Sequence, residues 1–132
     1  MPKILMIDDD ADFTASVQVM LEAKGYQFAR AKSGAEGLEK VKTARPDLII
    51  LDVMMGSFTE GFHVARSLRS TAAGAEFAAY RGIPILMLTS IHQATTLRFA
   101  PDEDYLPVEV FLDKSASPEA LLAKVEELAG KP

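Results

Sequence analysis

Apolar residues in this chain come in two rhythms. The first is a short unbroken run, seen in Ile4-Leu-Met-Ile7, in Leu48-Ile-Ile-Leu51 and in Ile83-Pro-Ile-Leu-Met-Leu-Thr89. Runs of that length without polar alternation predict strands covered on both faces, as at the centre of a parallel sheet. Pro84 is tolerated because it lies near the start of its strand. Val108-Glu-Val-Phe-Leu112 predicts a further strand, and Tyr26 to Ala31 a weaker one close to a sheet edge.

The second rhythm is helical. Phe13, Val17, Met20 and Leu21 fall at i, i+4, i+7 and i+8, which makes one apolar face. Asp10 is placed to cap that helix and Gly25 to stop it. Ser33-Gly-Ala-Glu36 is a capping box that opens a short helix with Leu38 and Val41 inward and Pro46 at its exit. A third helix from about Glu60 carries Phe62, Ala65 and Leu68, runs on towards Tyr80 and ends at Gly82. Ser117 caps the last helix, Pro118 takes its first position, and Leu121, Leu122, Val125 and Leu128 form its buried face. Ser90 to Pro107 keeps no helical period and reads as mostly loop, with at best one or two turns near Gln93 to Arg98. Strands and helices that alternate in this way imply an α/β protein whose parallel sheet is covered on both sides. The expectation is one domain spanning residues 1–132, a three-layer flavodoxin-like sandwich with five strands, its fourth helix short or replaced by loop.

Composition narrows the function classes. With 132 residues, 48% hydrophobic and 25% charged, the chain has room for a core and is not of disordered composition. A net charge of −5 argues against a nucleic-acid-binding surface. The absence of Cys excludes a disulfide framework and a thiolate metal site. No run is long enough for a bilayer, and the start reaches Asp8 after four apolar residues, unlike a signal peptide. A cytoplasmic protein without membrane association is expected.

Candidate chemistry comes from the ends of the apolar runs. Strands of a parallel sheet point one way, so their C-terminal residues gather on one edge, where ligands of open α/β sheets bind. Those residues are Asp8 and Asp9, Asp52, Thr89 and Lys114. Crowded carboxylates repel unless a cation joins them, and hard oxygen ligands suit Mg²⁺. Such a set fits phosphoryl transfer, with Asp52 as nucleophile forming an acyl phosphate. Lys114 would neutralise phosphoryl oxygens and Thr89 would give a hydrogen bond.

Four stretches carry these residues: Ile4-Leu-Met-Ile-Asp-Asp-Asp10, Pro46-Asp-Leu-Ile-Ile-Leu-Asp-Val-Met-Met55, Pro84-Ile-Leu-Met-Leu-Thr-Ser90 and Phe111-Leu-Asp-Lys114. Together, in this order and spacing, they resemble the receiver domain of two-component response regulators over essentially the whole chain. The resemblance implies a strand order 2-1-3-4-5. It implies that Asp52 is the phosphoacceptor and that Asp8 and Asp9 are the acidic pair, Asp9 the more direct Mg²⁺ ligand. It further implies that the backbone carbonyl of Met54 completes the metal site, Thr89 is the switch hydroxyl, Lys114 contacts the phosphoryl group, and Phe111 holds the place of the aromatic switch. Phosphorylation by a histidine kinase or phosphotransfer protein, followed by altered binding to a downstream protein, would be the function. The domain would be a phosphoacceptor rather than a turnover enzyme, stand-alone, and a monomer or weak homodimer.

The chain departs from the family's pattern in three places. Gly56 stands where a Pro is usual, with Gly61 one residue late, so the loop after Asp52 is expected to be wider. Ser115 follows Lys114 in place of the usual Pro, and a cis bond there would cost roughly 3 kcal/mol. The fourth helix has no clear pattern, which alters the face through which such domains commonly signal. These departures favour an alternative, a pseudo-receiver interaction module not controlled by phosphorylation. An aspartyl-nucleophile phosphatase would want a second acid two residues after Asp52, where Met54 stands. Met54 and Ile91, apolar at the positions that tune phosphoryl lifetime in the family, imply slow self-dephosphorylation. His63, His92 and the acidic stretch 102–104 read as solvated surface.

Overall fold

A computed structural model describes residues 2–52, 64, 67–68, 80, 82–89, 110–113 and 117–131, with residues 89, 110, 111 and 113 described in their backbone. The elements are β1 (Lys3–Ile7), α1 (Ala11–Ala23), β2 (Gln27–Ala31), α2 (Gly34–Ala44), β3 (Leu48–Asp52), β4 (Ile85–Thr89), β5 (Val110–Asp113) and a C-terminal helix (Pro118–Ala129). Val64, Ser67 and Leu68 are helical as well.

The five strands form one sheet in the order β2-β1-β3-β4-β5, and each neighbouring pair runs parallel. This is the expected order. β3 is buried at every position, and its residues alternate between two apolar layers. Ile49 and Leu51 join Leu5, Ile7, Ile85 and Met87 of the sheet with Val41 of α2, Val64 and Leu68. Leu48 and Ile50 join Ile4, Met6, Leu86 and Leu88 with Val17 and Leu21 of α1 and with Leu121 and Val125 of the C-terminal helix. The unbroken apolar runs are explained by this arrangement: a strand sandwiched between helices has no solvent face to pay tribute to with polar residues.

The helix ends follow their sequence signals. Asp10 Oδ1 accepts from the Phe13 amide at 3.0 Å, Ser33 Oγ from Glu36 at 3.1 Å and Ser117 Oγ from Ala120 at 3.1 Å. α1 stops at Lys24, and Gly25 follows with φ 99°. α2 exits just before Pro46, as expected, and its last turn is closed by Arg45 in the left-handed region, φ 47°.

Two strand starts are corrected. β4 begins at Ile85, two residues later than expected, because Ile83 donates to Tyr80 O in a turn and Pro84 has no amide for the ladder. The Pro84 carbonyl still accepts from Ile49 at 3.0 Å. β2 begins at Gln27, since the Tyr26 amide turns back to Leu21 O at 3.1 Å. In the third helical region Val64, fully buried, is an inward position that the sequence reading did not name, beside Leu68, which it did. Phe62, Ala65 and the whole of 90–107 lie outside the described residues, so the fourth-helix expectation falls there too, as do Gly56, Gly61, Ser115, His63, Ile91, His92 and 102–104.

Candidate functional site

The site grows from two adjacent strands. Ile7 of β1 is the register partner of Leu51 of β3, and each is followed at once by a carboxylate, Asp8 and Asp52. Parallel pairing in register therefore delivers the two acids side by side at one edge. One more residue along the chain from β1, Asp9 joins them. One carboxylate oxygen from each of Asp8, Asp9 and Asp52 lies within 4.8 Å of the others.

Burial divides their roles. Asp8 and Asp52 are 2% and 4% exposed, while Asp9 faces solvent. Asp8 is held at both ends: its amide donates to Ala31 O at 3.0 Å, and its Oδ1 accepts from the Asp10 amide at 2.9 Å. Asp10, the third acid of the triplet, is spent on capping α1. The acid at the other end of the β3 run is also structural. Asp47 accepts from the Lys3 amide at 2.8 Å and donates its own amide to Lys3 O at 2.7 Å, at the opposite edge of the sheet. Of the two carboxylates that bracket Leu48–Leu51, only Asp52 lies on the site.

The donor set fits a small hard cation. One oxygen from each of three carboxylates within 4.8 Å of the others is the kind of hard donor set that Mg²⁺ takes. Three negative charges in this space, two of them away from water, oppose one another, and a divalent cation reverses the balance. Asp8, Asp9 and Asp52 could hold such an ion.

The remaining candidates are placed in part. Thr89 is the last residue of β4, one beyond Leu88, which is the register partner of Asp52, so its backbone reaches the same edge. Phe111 and Asp113 lie in β5, with Asp113 paired to Thr89. The side chains of Thr89 and Phe111, and all of Met54 and Lys114, lie outside the described residues. Sequence reasoning missed Gly37 of α2, buried directly against Ile7. Its signal was a second glycine, three residues after Gly34, inside a helix that gains nothing from either in propensity.

Comparison with known proteins places the chain in a family and agrees with the fold. The family profile described as response regulator receiver domain matches residues 4–126. Response regulator MprA of Mycobacterium leprae is 36% identical over 129 residues, which are 96% of this chain and 50% of that protein. The transcriptional regulatory protein AfsQ1 of Streptomyces coelicolor is 37% identical over 90 residues, 68% of this chain and 36% of that protein. The chain thus spans half or less of the length of these two relatives. Among solved structures, chemotaxis response regulator CheY4 of Vibrio cholerae superposes with a TM-score of 0.79 at 30% identity, covering 97% of this chain and 98% of that one. The receiver domain of Francisella response regulator 1452 gives 0.77 at 22% identity, with 98% and 97% covered, and shares the fold.

Proposed function

The chain belongs to the response regulator receiver domain family, and from that premise we propose that it is a phosphoacceptor switched by phosphorylation of Asp52. The observation that carries this reading is the convergence of Asp8, Asp9 and Asp52 oxygens within 4.8 Å at the ends of two paired strands. In the proposed reaction a carboxylate oxygen of Asp52 attacks the phosphorus of a phosphohistidine on a kinase or phosphotransfer protein. A P–O bond forms, the P–N bond breaks, and the imidazole leaves with a proton from solvent. Asp8, Asp9, Asp52 and the Met54 carbonyl would hold Mg²⁺, which when bound supplies charge neutralisation for the crowded oxygens. Lys114 pairs with the phosphoryl oxygens and the Thr89 hydroxyl donates to one of them, which moves Thr89 inward and changes the surface offered to a partner.

The net charge of −5 supports a protein as the downstream partner of these residues, rather than nucleic acid. Among the described residues, no helix is long and apolar enough to cross a membrane. The domain carries out only its own phosphorylation and dephosphorylation.

The test is intact mass after incubation with acetyl phosphate and Mg²⁺, beside Asp52→Asn. Gain of one phosphoryl group, lost in the variant and without metal, is expected. Folded protein that stays unlabelled would overturn the reading in favour of an interaction module that phosphate does not control.

A further inference from the structure

α2 comes so close to β1 that position 37 has no room for a side chain. A methyl group on Gly37 would lie 2.4 Å from Ile7 Cδ1, 2.7 Å from Cγ1 and 3.0 Å from Cγ2. Backbone conformation does not ask for glycine there. Among the described glycines only Gly25 and Gly130 have positive φ, and Gly37 sits inside a regular helix. A mid-helix glycine costs roughly 1 kcal/mol relative to alanine, so space is its explanation.

The neighbour it makes room for is placed with consequence. Ile7 is fully buried among Leu5, Ala31, Val41 and Leu51, a packed layer in which a displaced side chain moves its backbone. It is bonded into β1 one residue before Asp8. Its register partner on one side, Leu51, stands one residue before Asp52, and its partner on the other, Ala31, supplies the carbonyl that holds the Asp8 amide. Ile7 Cδ1 can swing aside, but Cγ1 at 2.7 Å is close to the backbone, and a push there is delivered to the strand end that carries Asp8 and Asp9.

We propose that Gly37 is a positioning residue for the acidic site: its missing side chain lets Ile7 seat fully, and that seating sets the spacing of the three carboxylates. The inference rests on the reading of those carboxylates as an Mg²⁺ site.

The experiment is an Mg²⁺ titration followed by the amide NMR shifts of Asp8 and Asp9, at a temperature where every variant is folded. Gly37→Ala should raise the Mg²⁺ half-saturation about tenfold, the scale on which sub-ångström misplacement of a preorganised site is felt. Ile7→Val/Gly37→Ala removes the nearest atom, Cδ1, but leaves Cγ1 2.7 Å from the added methyl, so its half-saturation should fall between those of wild type and Gly37→Ala. Val125→Ala, in the opposite layer, should lower stability and leave the half-saturation where it was. A folded Gly37→Ala protein with wild-type half-saturation overturns the proposal, as does a double variant that folds and stays tenfold weaker. If Gly37→Ala alone does not fold, the double variant, which keeps the 2.7 Å contact, decides: a raised half-saturation supports the proposal and a wild-type one overturns it. Wild-type protein that shows no Mg²⁺-dependent shifts takes down the metal-site reading and this inference together, whereas Mg²⁺ binding that ignores position 37 removes only the latter.

Discussion

Neutralising Asp52 should make the metal-free protein more stable, although Asp52 is the residue on which the proposed function depends. Asparagine keeps the shape and one acceptor oxygen and removes one charge of three. Two unit charges no more than 4.8 Å apart at an effective dielectric near 20 oppose each other by about 3 kcal/mol or more. Asp8 is 2% exposed and exerts most of that on Asp52, whereas Asp9 is open to solvent and its share is screened. Part of the relief is offset where the amide replaces a carboxylate acceptor. A net gain of about 1–2 kcal/mol remains, which for a domain of this size raises Tm by about 4–7 °C.

Mg²⁺ should invert the order. A ligand that binds only the folded state at a hundred times its Kd adds about 2.7 kcal/mol. Wild type collects this in full and Asp52→Asn, with one ligand oxygen fewer and one charge less, collects little. Thermal melts by circular dichroism in EDTA and in excess Mg²⁺ would therefore cross: the variant higher in EDTA, wild type level or higher with the ion. Asp47→Asn is the control, since Asp47 holds the Lys3 amide at the far edge of the sheet and should show no crossing. An Asp52→Asn protein that melts below wild type in EDTA would refute the reasoning, because it would mean that the carboxylate is a structural acceptor and not one member of a repulsive cluster.

Three further outcomes are expected. Tyr26 Oη donates to Gly130 O at 2.7 Å, so Tyr26→Phe should cost about 1 kcal/mol in urea unfolding at neutral pH. Burial first, and then the nearby Glu126 charge, raise the Tyr26 pKa above its ordinary value of 10.0, so the folded state holds the phenol proton more tightly than the unfolded chain. Its contribution is complete below pH 10.0 and is lost as pH climbs through the raised value, so the gap between wild type and Tyr26→Phe should narrow there; a gap that widens would contradict the assignment. Arg45→Gly should stabilise by about 0.5–1 kcal/mol, read as a higher urea midpoint, because φ of 47° is strained for arginine and free for glycine. The phosphoryl group on Asp52 should persist for many minutes or longer by intact mass after acetyl phosphate is removed, since Met54 and Ile91 offer no group to orient water; a half-life of seconds would count against their role.

How much of this was open to reading from the chain depends on what each feature needs. Strands β1 and β3 were legible because burial on both faces leaves an unbroken apolar run, as it does in β4 from Ile85 to Leu88. The same runs located Asp8 and Asp52, since an acid at the end of a doubly covered strand has one place to go. The helix starts were legible because Asp10, Ser33 and Ser117 act on amides only three residues away. What escaped was the information held between elements. Arg45 closes α2 in a conformation that its own type disfavours, so no local rule points to it. The starts of β4 and β2 are set by turns that tie Ile83 to Tyr80 and Tyr26 to Leu21, bonds that an apolar run does not announce. The clasp of Asp47 on Lys3 needs the neighbouring strand to be seen, whereas Asp52 was already marked by lying at the C-terminal end of its run. Gly37 is the furthest case. In the sequence it is a weakness in a helix, and it acquires meaning only when β1 is laid against it. The carboxylates of this receiver domain stand at strand ends, where the sequence shows them, whereas the fit of Gly37 against Ile7 is a helix-to-sheet distance that no single stretch of the chain contains.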